Sequence, residues 1–312
     1  MSKFIRLLVL FLFPIFVVAI AFEMTLRNIP NDYAYKRAHL DAKSNDINVL
    51  FLGNSHIYFG IDPKYMSRKS FNEAHISQSL NYDLAILEKY RNNWKNLKYV
   101  VVPIDYFTMF SSLEHGVEKW REKNYKLYYD ISMNSNLWNN FELTNGKLQK
   151  NLVRTKRYLF DNKSDITCDS LGFGFKYNSK HNKDLAETGE IAVKRHTIKI
   201  EDSSIFFKNV QTVKSLIAFS KQKNIKILFI TAPAYKTYSS KVNPHQLNTT
   251  VRFIETLTHK NPNAYYHNFF YDTSFVAKDF FDADHLNEIG AKKLTLRIDS
   301  IINKIENTNA QQ

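Results

Sequence analysis

Asn48-Val49-Leu50-Phe51-Leu52-Gly53-Asn54-Ser55-His56 is the stretch that decides the fold. An uninterrupted apolar run closed by a glycine is the pattern of a parallel strand buried on both faces. The pattern returns at Tyr99 to Ile104 and at Ile225 to Ile230, which leads into Thr231-Ala232-Pro233. A shorter strand candidate covers Ala264 to Phe269. Helical signals stand between these runs. Asp62-Pro63 reads as a cap followed by a first-turn proline. Leu80, Leu84 and Leu87 predict an amphipathic helix over 77–94. Phe206, Val210, Val213 and Ile217 mark another, residues 244–260 a third, and Ile298, Ile301, Ile302 and Ile305 the last, with Asn287 as its cap. Strands alternating with helices predict an α/β fold: a parallel sheet covered on both faces. Ligands of such folds bind at the carboxyl ends of the strands, and Ser55 stands at that end of the first.

A second segment, Asp282-Ala283-Asp284-His285-Leu286-Asn287, directly precedes the last helix, so its loop can reach the same edge. A serine hydroxyl is a poor nucleophile until a base takes its proton, and the base needs an acid to orient it. Ser55, His285 and Asp282 are the candidate nucleophile, base and acid. Triads assemble in space, so the sequence distance between the segments is no obstacle. The amide of Ser55, at the start of a helical turn, is a candidate oxyanion donor. Each piece also has a plain structural explanation. A serine after a strand is often a helix cap. Asp284 could equally be the acid or a loop residue, and His56 is more often a structural histidine than a second base.

Gly-Asn-Ser-His and Asp-x-Asp-His-Leu-Asn resemble the first and last blocks of the SGNH (GDSL-like) hydrolase superfamily. The resemblance implies a flavodoxin-like three-layer α/β/α fold, Ser55 as nucleophile, His285 as base and Asp282 as acid. It covers roughly 46–106 and 206–305. In the region matching the second block, Phe71 to Ser79, the oxyanion glycine is missing, and the backbone amides of Ala74 and His75 are the candidates in its place. The Gly-x-Asn-Asp of the third block is not found. The apolar N-terminus, the Asn-x-x-x-x-Ser-Gln-Ser-Leu segment and Thr-Ala-Pro-Ala-Tyr are similar to exported, anchored members of cell-envelope acylation, of the alginate O-acetylation and teichoic-acid D-alanylation types. That likeness implies an acylated glycan or acyl donor as substrate and a membrane-bound O-acyltransferase as partner. No cofactor or metal is implied.

Lys3 and Arg6 precede an almost uncharged apolar run, Leu7 to Phe22, ended by Glu23. As a helix, Leu7 to Met24 spans roughly 27 Å, just short of a hydrocarbon core. The expectation is an uncleaved anchor over 1–24 with the rest of the chain outside, by the positive-inside rule. Ala19-Ile20-Ala21 also allows a cleaved signal sequence. A polar stalk is expected over 25–45, the catalytic domain over 46–306, and a polar tail over 307–312. Residues 107–204 are rich in Tyr, Asn, Lys and Phe with weak periodicity, and read as a long insertion lying over the active site.

Cys168 is the only cysteine, which excludes an intramolecular disulfide or a cysteine-built metal cluster. The net charge of +13 raises a nucleic-acid reading, but no binding motif accompanies it. The basic clusters Lys147 to Arg157, Lys176 to Lys183 and Lys194 to Lys199 read individually as solvated faces, or together as attraction to anionic lipid or glycan. The sequence thus predicts an anchored, extracytoplasmic serine enzyme acting on O-acyl esters of a surface polysaccharide, as acyltransferase or esterase. The rivals are a lipid or small-ester hydrolase and a catalytically weak glycan-binding scaffold beside an acyltransferase.

Overall fold

The computed structural model describes residues 2–145, 147–198 and 203–310. Lys199, the rest of 199–202 within the expected insertion, and Gln311-Gln312 of the expected tail lie outside the described residues. The chain forms two compact units. One comprises Met1–Ala38 with Lys119–Ile166, the other His39–Glu118 with Thr167–Gln312.

The helices used below are α1 (Ser2–Asn28), α2 (Asp32–Lys43), α3 (Ser55–Tyr58), α4 (Leu80–Lys89), α5 (Leu148–Asp161), α6 (Leu185–His196), α7 (Ser203–Gln222), α8 (Pro244–His259) and α9 (Glu288–Ala310). The strands are β1 (Val49–Phe51), β2 (Ser70–Asn72), β3 (Tyr99–Pro103), β4 (Lys226–Thr231), β5 (Ala264–Asn268), β6 (Phe280–Asp282) and β7 (His285–Leu286).

The larger unit is built on a parallel five-stranded sheet in the order β2-β1-β3-β4-β5, the flavodoxin-like order. Val49 pairs with both Ser70 and Tyr99, so β1 is an inner strand. Successive residues of a strand face opposite sides. Val49, Leu50 and Phe51 are all fully buried, so both faces of the sheet are covered. Val100–Val102 and Ile227–Ile230 are buried in the same way. α4 packs against α7, α8 against β5, and α9 presents Leu294, Ile298 and Ile302 inward, each fully buried. Asn287 caps α9, its Oδ1 accepting from the amides of Ile289 and Gly290 at 3.0 and 3.2 Å. β6 and β7 form a separate antiparallel pair that carries Asp282 and His285.

In the smaller unit, α1 is, among the described residues, the one helix long and apolar enough to cross a membrane. Residues 25–45 differ from the expected stalk. They hold the end of α1 and all of α2, with Leu26, Ile29 and Tyr33 buried, and Leu40, in the part of α2 that belongs to the larger unit, buried as well. Apolar residues spaced through a charged stretch supply a packing face that a reading of its average polarity overlooks. The expected insertion is likewise divided between the units: 119–166 belongs to the smaller one, the flanking segments to the larger.

Candidate active site

Gly53 makes the turn that lets the chain leave β1. Its φ is +112°, and a Cβ there would lie 2.2 Å from Cδ of Pro103 at the end of β3. No L side chain fits that space or that backbone angle. Asn54 then caps α3, its Oδ1 accepting from the amide of His56 at 2.9 Å while its Nδ2 donates to Asp105 Oδ2 at 3.0 Å. Ser55 opens the turn, so its amide has no partner four residues back.

Across from it, β7 brings in His285. The Oγ of Ser55 is 2.8 Å from His285 Nε2, and His285 Nδ1 is 2.9 Å from Asp282 Oδ1. Asp282 Oδ1 also accepts from the amide of His285 at 2.8 Å, which fixes the loop between them. The three residues from the two distant segments therefore form one contact chain at the carboxyl end of β1, next to the place where strand order reverses between β1 and β3.

The Ala74 and His75 amides, anticipated as oxyanion donors, are engaged elsewhere. Ala74 N–H donates to Asn72 Oδ1 at 3.1 Å and His75 N–H to the carbonyl of Gly53 at 3.0 Å. Beyond β2 the segment continues alongside β1, which consumes the His75 donor, while the Asn72 side chain takes that of Ala74 in a local turn. This corrects the assignment of those two amides and leaves the amide of Ser55.

Behind the contact chain lies a group that the sequence did not bring together. Asp105 follows β3 and accepts from the amide of Ala232 at 3.0 Å, tying the ends of β3 and β4. Its Oδ2 is 3.0 Å from His56 Nδ1. His56 Nε2 is 3.7 Å from Asp284 Oδ2, and Asp284 Oδ1 is 3.5 Å from His285 Nδ1. His196, from α6, lies 3.8 Å from Asp284 and 3.0 Å from the hydroxyl of Tyr238. All these residues except His196 are buried.

Charge settles the protonation of the group. Burial alone would discharge His56, but Asp105 and then Asp284 outweigh it and raise its pKa to about 9. The Asp105 carboxyl, which burial would raise, is held below its usual range by His56. Asp284 is held well below it by His285 and His56 against its own burial. His285 is pushed by burial in the neutral direction, yet Asp282 and Asp284 together raise it well above the ordinary imidazole value. His196 goes the other way: burial dominates and lowers it to about 3, so it is neutral.

His56, Asp284 and His285 offer ligand atoms within 4.8 Å of one another, the donor types of a divalent-cation site. Both ring nitrogens of His285 are, however, taken up by Ser55 and Asp282, and Nδ1 of His56 by Asp105. A cation would have to break the Ser55 contact to bind.

The walls are aromatic. Tyr177 is sandwiched between Phe59 and Phe281, with ring centroids 3.7 and 3.9 Å apart, and meets His285 edge-on at 5.3 Å. Gly174 allows this approach: its amide donates to the carbonyl of Tyr58, and a Cβ there would sit 2.3 Å from the Tyr58 ring. Phe107 faces His196 at 4.2 Å. Tyr177 and His196 come from the segment read as an insertion, where no periodic signal marked them. Asp105 did have a signal: an acid directly after an apolar parallel strand occupies a ligand-binding edge.

No protein-family model matches this sequence, and no curated protein does. Solved structures similar to the chain include the following three. One is a proposed acylhydrolase from Bacteroides fragilis, 12% identical over 87% of this chain and 94% of that one, with a TM-score of 0.42. Another is a GDSL-like lipase from Bacteroides thetaiotaomicron, 12% identical over 88% and 99%, TM-score 0.41. The third is a proposed platelet activating factor from Streptococcus pneumonia, 9% identical over 96% and 98%, TM-score 0.42.

Proposed function

We propose that this chain is an SGNH-type serine enzyme acting on acyl esters, anchored by α1 with its α/β unit outside the cytoplasmic membrane. The observation that carries the reading is the chain Ser55 Oγ, His285 Nε2, His285 Nδ1, Asp282 Oδ1, with links of 2.8 and 2.9 Å. Ser55 Oγ attacks the acyl carbonyl carbon while its proton passes to His285 Nε2. The Ser55 amide lies beside the oxyanion that forms. His285 then protonates the leaving oxygen, and an acyl ester on Ser55 remains. A sugar hydroxyl or water, deprotonated by His285, releases it.

The substrate proposed is an O-acylated surface polysaccharide, with transfer favoured where water is kept out. The stacked wall of Phe59, Tyr177 and Phe281 supports a ligand with an apolar face, which a sugar ring or an acyl chain both have. A membrane-bound O-acyltransferase is the partner this reading proposes as donor, and no nucleic acid or cofactor enters it. The engagement of the Ala74 and His75 amides favours a second reading, a catalytically weak glycan-binding scaffold.

The test is a serine-directed fluorophosphonate probe on the full chain in detergent. The enzyme reading expects labelling that Ser55→Ala abolishes and His285→Ala strongly slows. Hydrolysis of p-nitrophenyl acetate should fall in the same two variants, and a glycan acceptor should divert the acyl group if transfer is the reaction. A folded wild-type protein that the probe leaves unlabelled overturns this reading in favour of the scaffold.

A further inference from the structure

Helix α5 is built inside out. Its inward residues are polar: Asn151 is buried, and Arg154 pairs with Glu142 at 3.2 Å and Asp165 at 2.7 Å. Its outward residues are apolar: Leu148, Leu152, Val153, Leu159 and Phe160 are all more than half exposed, Phe160 at 79%. At about 100° per residue, Leu148, Leu152 and Leu159 fall within about 40° of one another, with Val153 and Phe160 about 100° further round. In water this arrangement exposes what a helix ordinarily hides.

The location within the smaller unit says what covers it. α5 packs beside α1, the membrane-crossing candidate. The apolar run of α1 ends at Glu23, and there the unit is stitched to the helix. The Glu23 carboxylate accepts from the amides of Glu142 and Leu143, both at 2.9 Å, and Arg27 donates to the carbonyl of Asn140. That turn carries Leu137 and Trp138, 76% and 67% exposed. A tryptophan and a leucine held beside the first charge after an apolar span are at headgroup level. Lys147, Lys150 and Arg157 lie off the apolar arc, and Lys156 lies between the leucine stripe and the Val153 and Phe160 pair, from where its long stem lets the ammonium snorkel to the headgroups.

We propose that α5 and the 137–141 turn form an interfacial membrane-binding face. α5 lies in the plane of the bilayer with its leucine stripe among the acyl chains and its lysines and Arg157 at anionic headgroups. The proposal rests on α1 being an anchor. It gives the basic cluster Lys147 to Arg157 a ligand, anionic lipid. It also makes the smaller unit a membrane-seated collar around the end of α1.

The experiment uses the full chain reconstituted in vesicles of phosphatidylcholine and phosphatidylglycerol. Spin labels are placed singly at Leu152→Cys and Phe160→Cys, with Val18→Cys reporting on α1. All three sites are exposed, and the unsubstituted protein, whose native Cys168 is buried, is the blank. Collisions with oxygen, enriched in lipid, are compared with collisions with a water-soluble nickel chelate. The expected result is oxygen in excess at positions 152 and 160, as at 18. Nickel in excess at 152 and 160 with oxygen in excess at 18 overturns this proposal and leaves the anchor standing. Shielding from both reagents at 152 and 160 overturns it in favour of a second copy of the chain on that face. Nickel in excess at 18 defeats the anchor, and the proposal with it.

Discussion

Each unit buries a cluster of charge, and the two clusters are made of different chemistry. In the smaller unit, Glu142 takes Lys123 at 2.6 Å and Arg154 at 3.2 Å, and Tyr128 donates to it at 2.8 Å. Its cations are a lysine and an arginine: burial lowers the pKa of Lys123 against the pull of Glu142, while Glu142 and Asp165 outweigh burial and raise that of Arg154. In the larger unit the cations are histidines, set among Asp105, Asp284 and Asp282. Histidine changes charge near neutrality. The difference separates two uses of the same costly device. A cluster built on an arginine, a lysine and a glutamate holds a small unit in one arrangement, whereas a cluster of histidines and carboxylates can give and take a proton near neutrality.

The sharpest way to break that comparison is to remove one member from each cluster. Ser55→Ala is expected to lower ester turnover by roughly 10⁴-fold or more, because the contact chain loses its proposed nucleophile. Its melting temperature should stay close to wild type, since a half-exposed hydroxyl is removed. Glu142→Ala is expected to do the reverse. It strands the buried Lys123, takes one of the two carboxylate partners of Arg154, and costs about 3–5 kcal/mol in denaturant unfolding of the full chain in detergent, with turnover unchanged where the protein is folded. If Glu142→Ala leaves stability untouched, the smaller unit's cluster is not structural.

The histidines of the larger unit and Glu142 of the smaller should also respond to pH in opposite windows. His56 has its pKa raised from 6.5 to about 9. Its contribution is therefore fully present below pH 6.5 and lost as pH rises to about 9. The shift corresponds to up to about 3 kcal/mol. His285, raised in the same direction, adds to the same loss. Glu142 is held below its ordinary 4.5, chiefly by Lys123 working against burial. Its contribution is present above 4.5 and lost as pH falls below it. Unfolding free energy measured from pH 4 to 9 should decline at both ends, and His56→Gln should flatten the alkaline limb. An alkaline limb unchanged in His56→Gln would show that His56 is not the charged member.

How much of this was legible follows the same division. β1, β3 and β4 were readable because parallel strands buried on both faces are written as continuous apolar runs, and the structure starts and ends them within a residue or two of the reading. β2 was not, since Ser70-Phe71-Asn72 is three residues long and mostly polar, held by pairing with β1. Ser55, Asp282 and His285 stood in two short motifs at predictable ends of elements. Asp105, His196 and Tyr177 were missed because their roles arise from contacts between segments with no spacing rule to link them. His56 was weighed as structural, and its place between two carboxylates is a property of the folded strand ends. The smaller unit was least legible: α5 carries its apolar residues outward, and a search for an inward stripe finds weak periodicity there.

The finest prediction asks whether the histidine cluster tunes the reaction or only supports it. In the proposed reaction, attack by Ser55 needs His285 neutral, and Asp282 and Asp284 both hold its proton on against burial. Turnover of an ester substrate should therefore rise as pH passes from neutral into the alkaline range. Asp282 touches His285 directly and orients it, so its removal confounds geometry with charge. Asp284 stands farther off, 3.5 Å from Nδ1, and it also charges His56. Asp284→Asn keeps the shape and removes that charge. The midpoint of the rate profile should move down, toward the ordinary imidazole value near 6.5. A purely structural Asp284 would lower the rate at every pH and leave the midpoint in place. That outcome would make the larger unit's cluster, like the smaller unit's, a fixed brace.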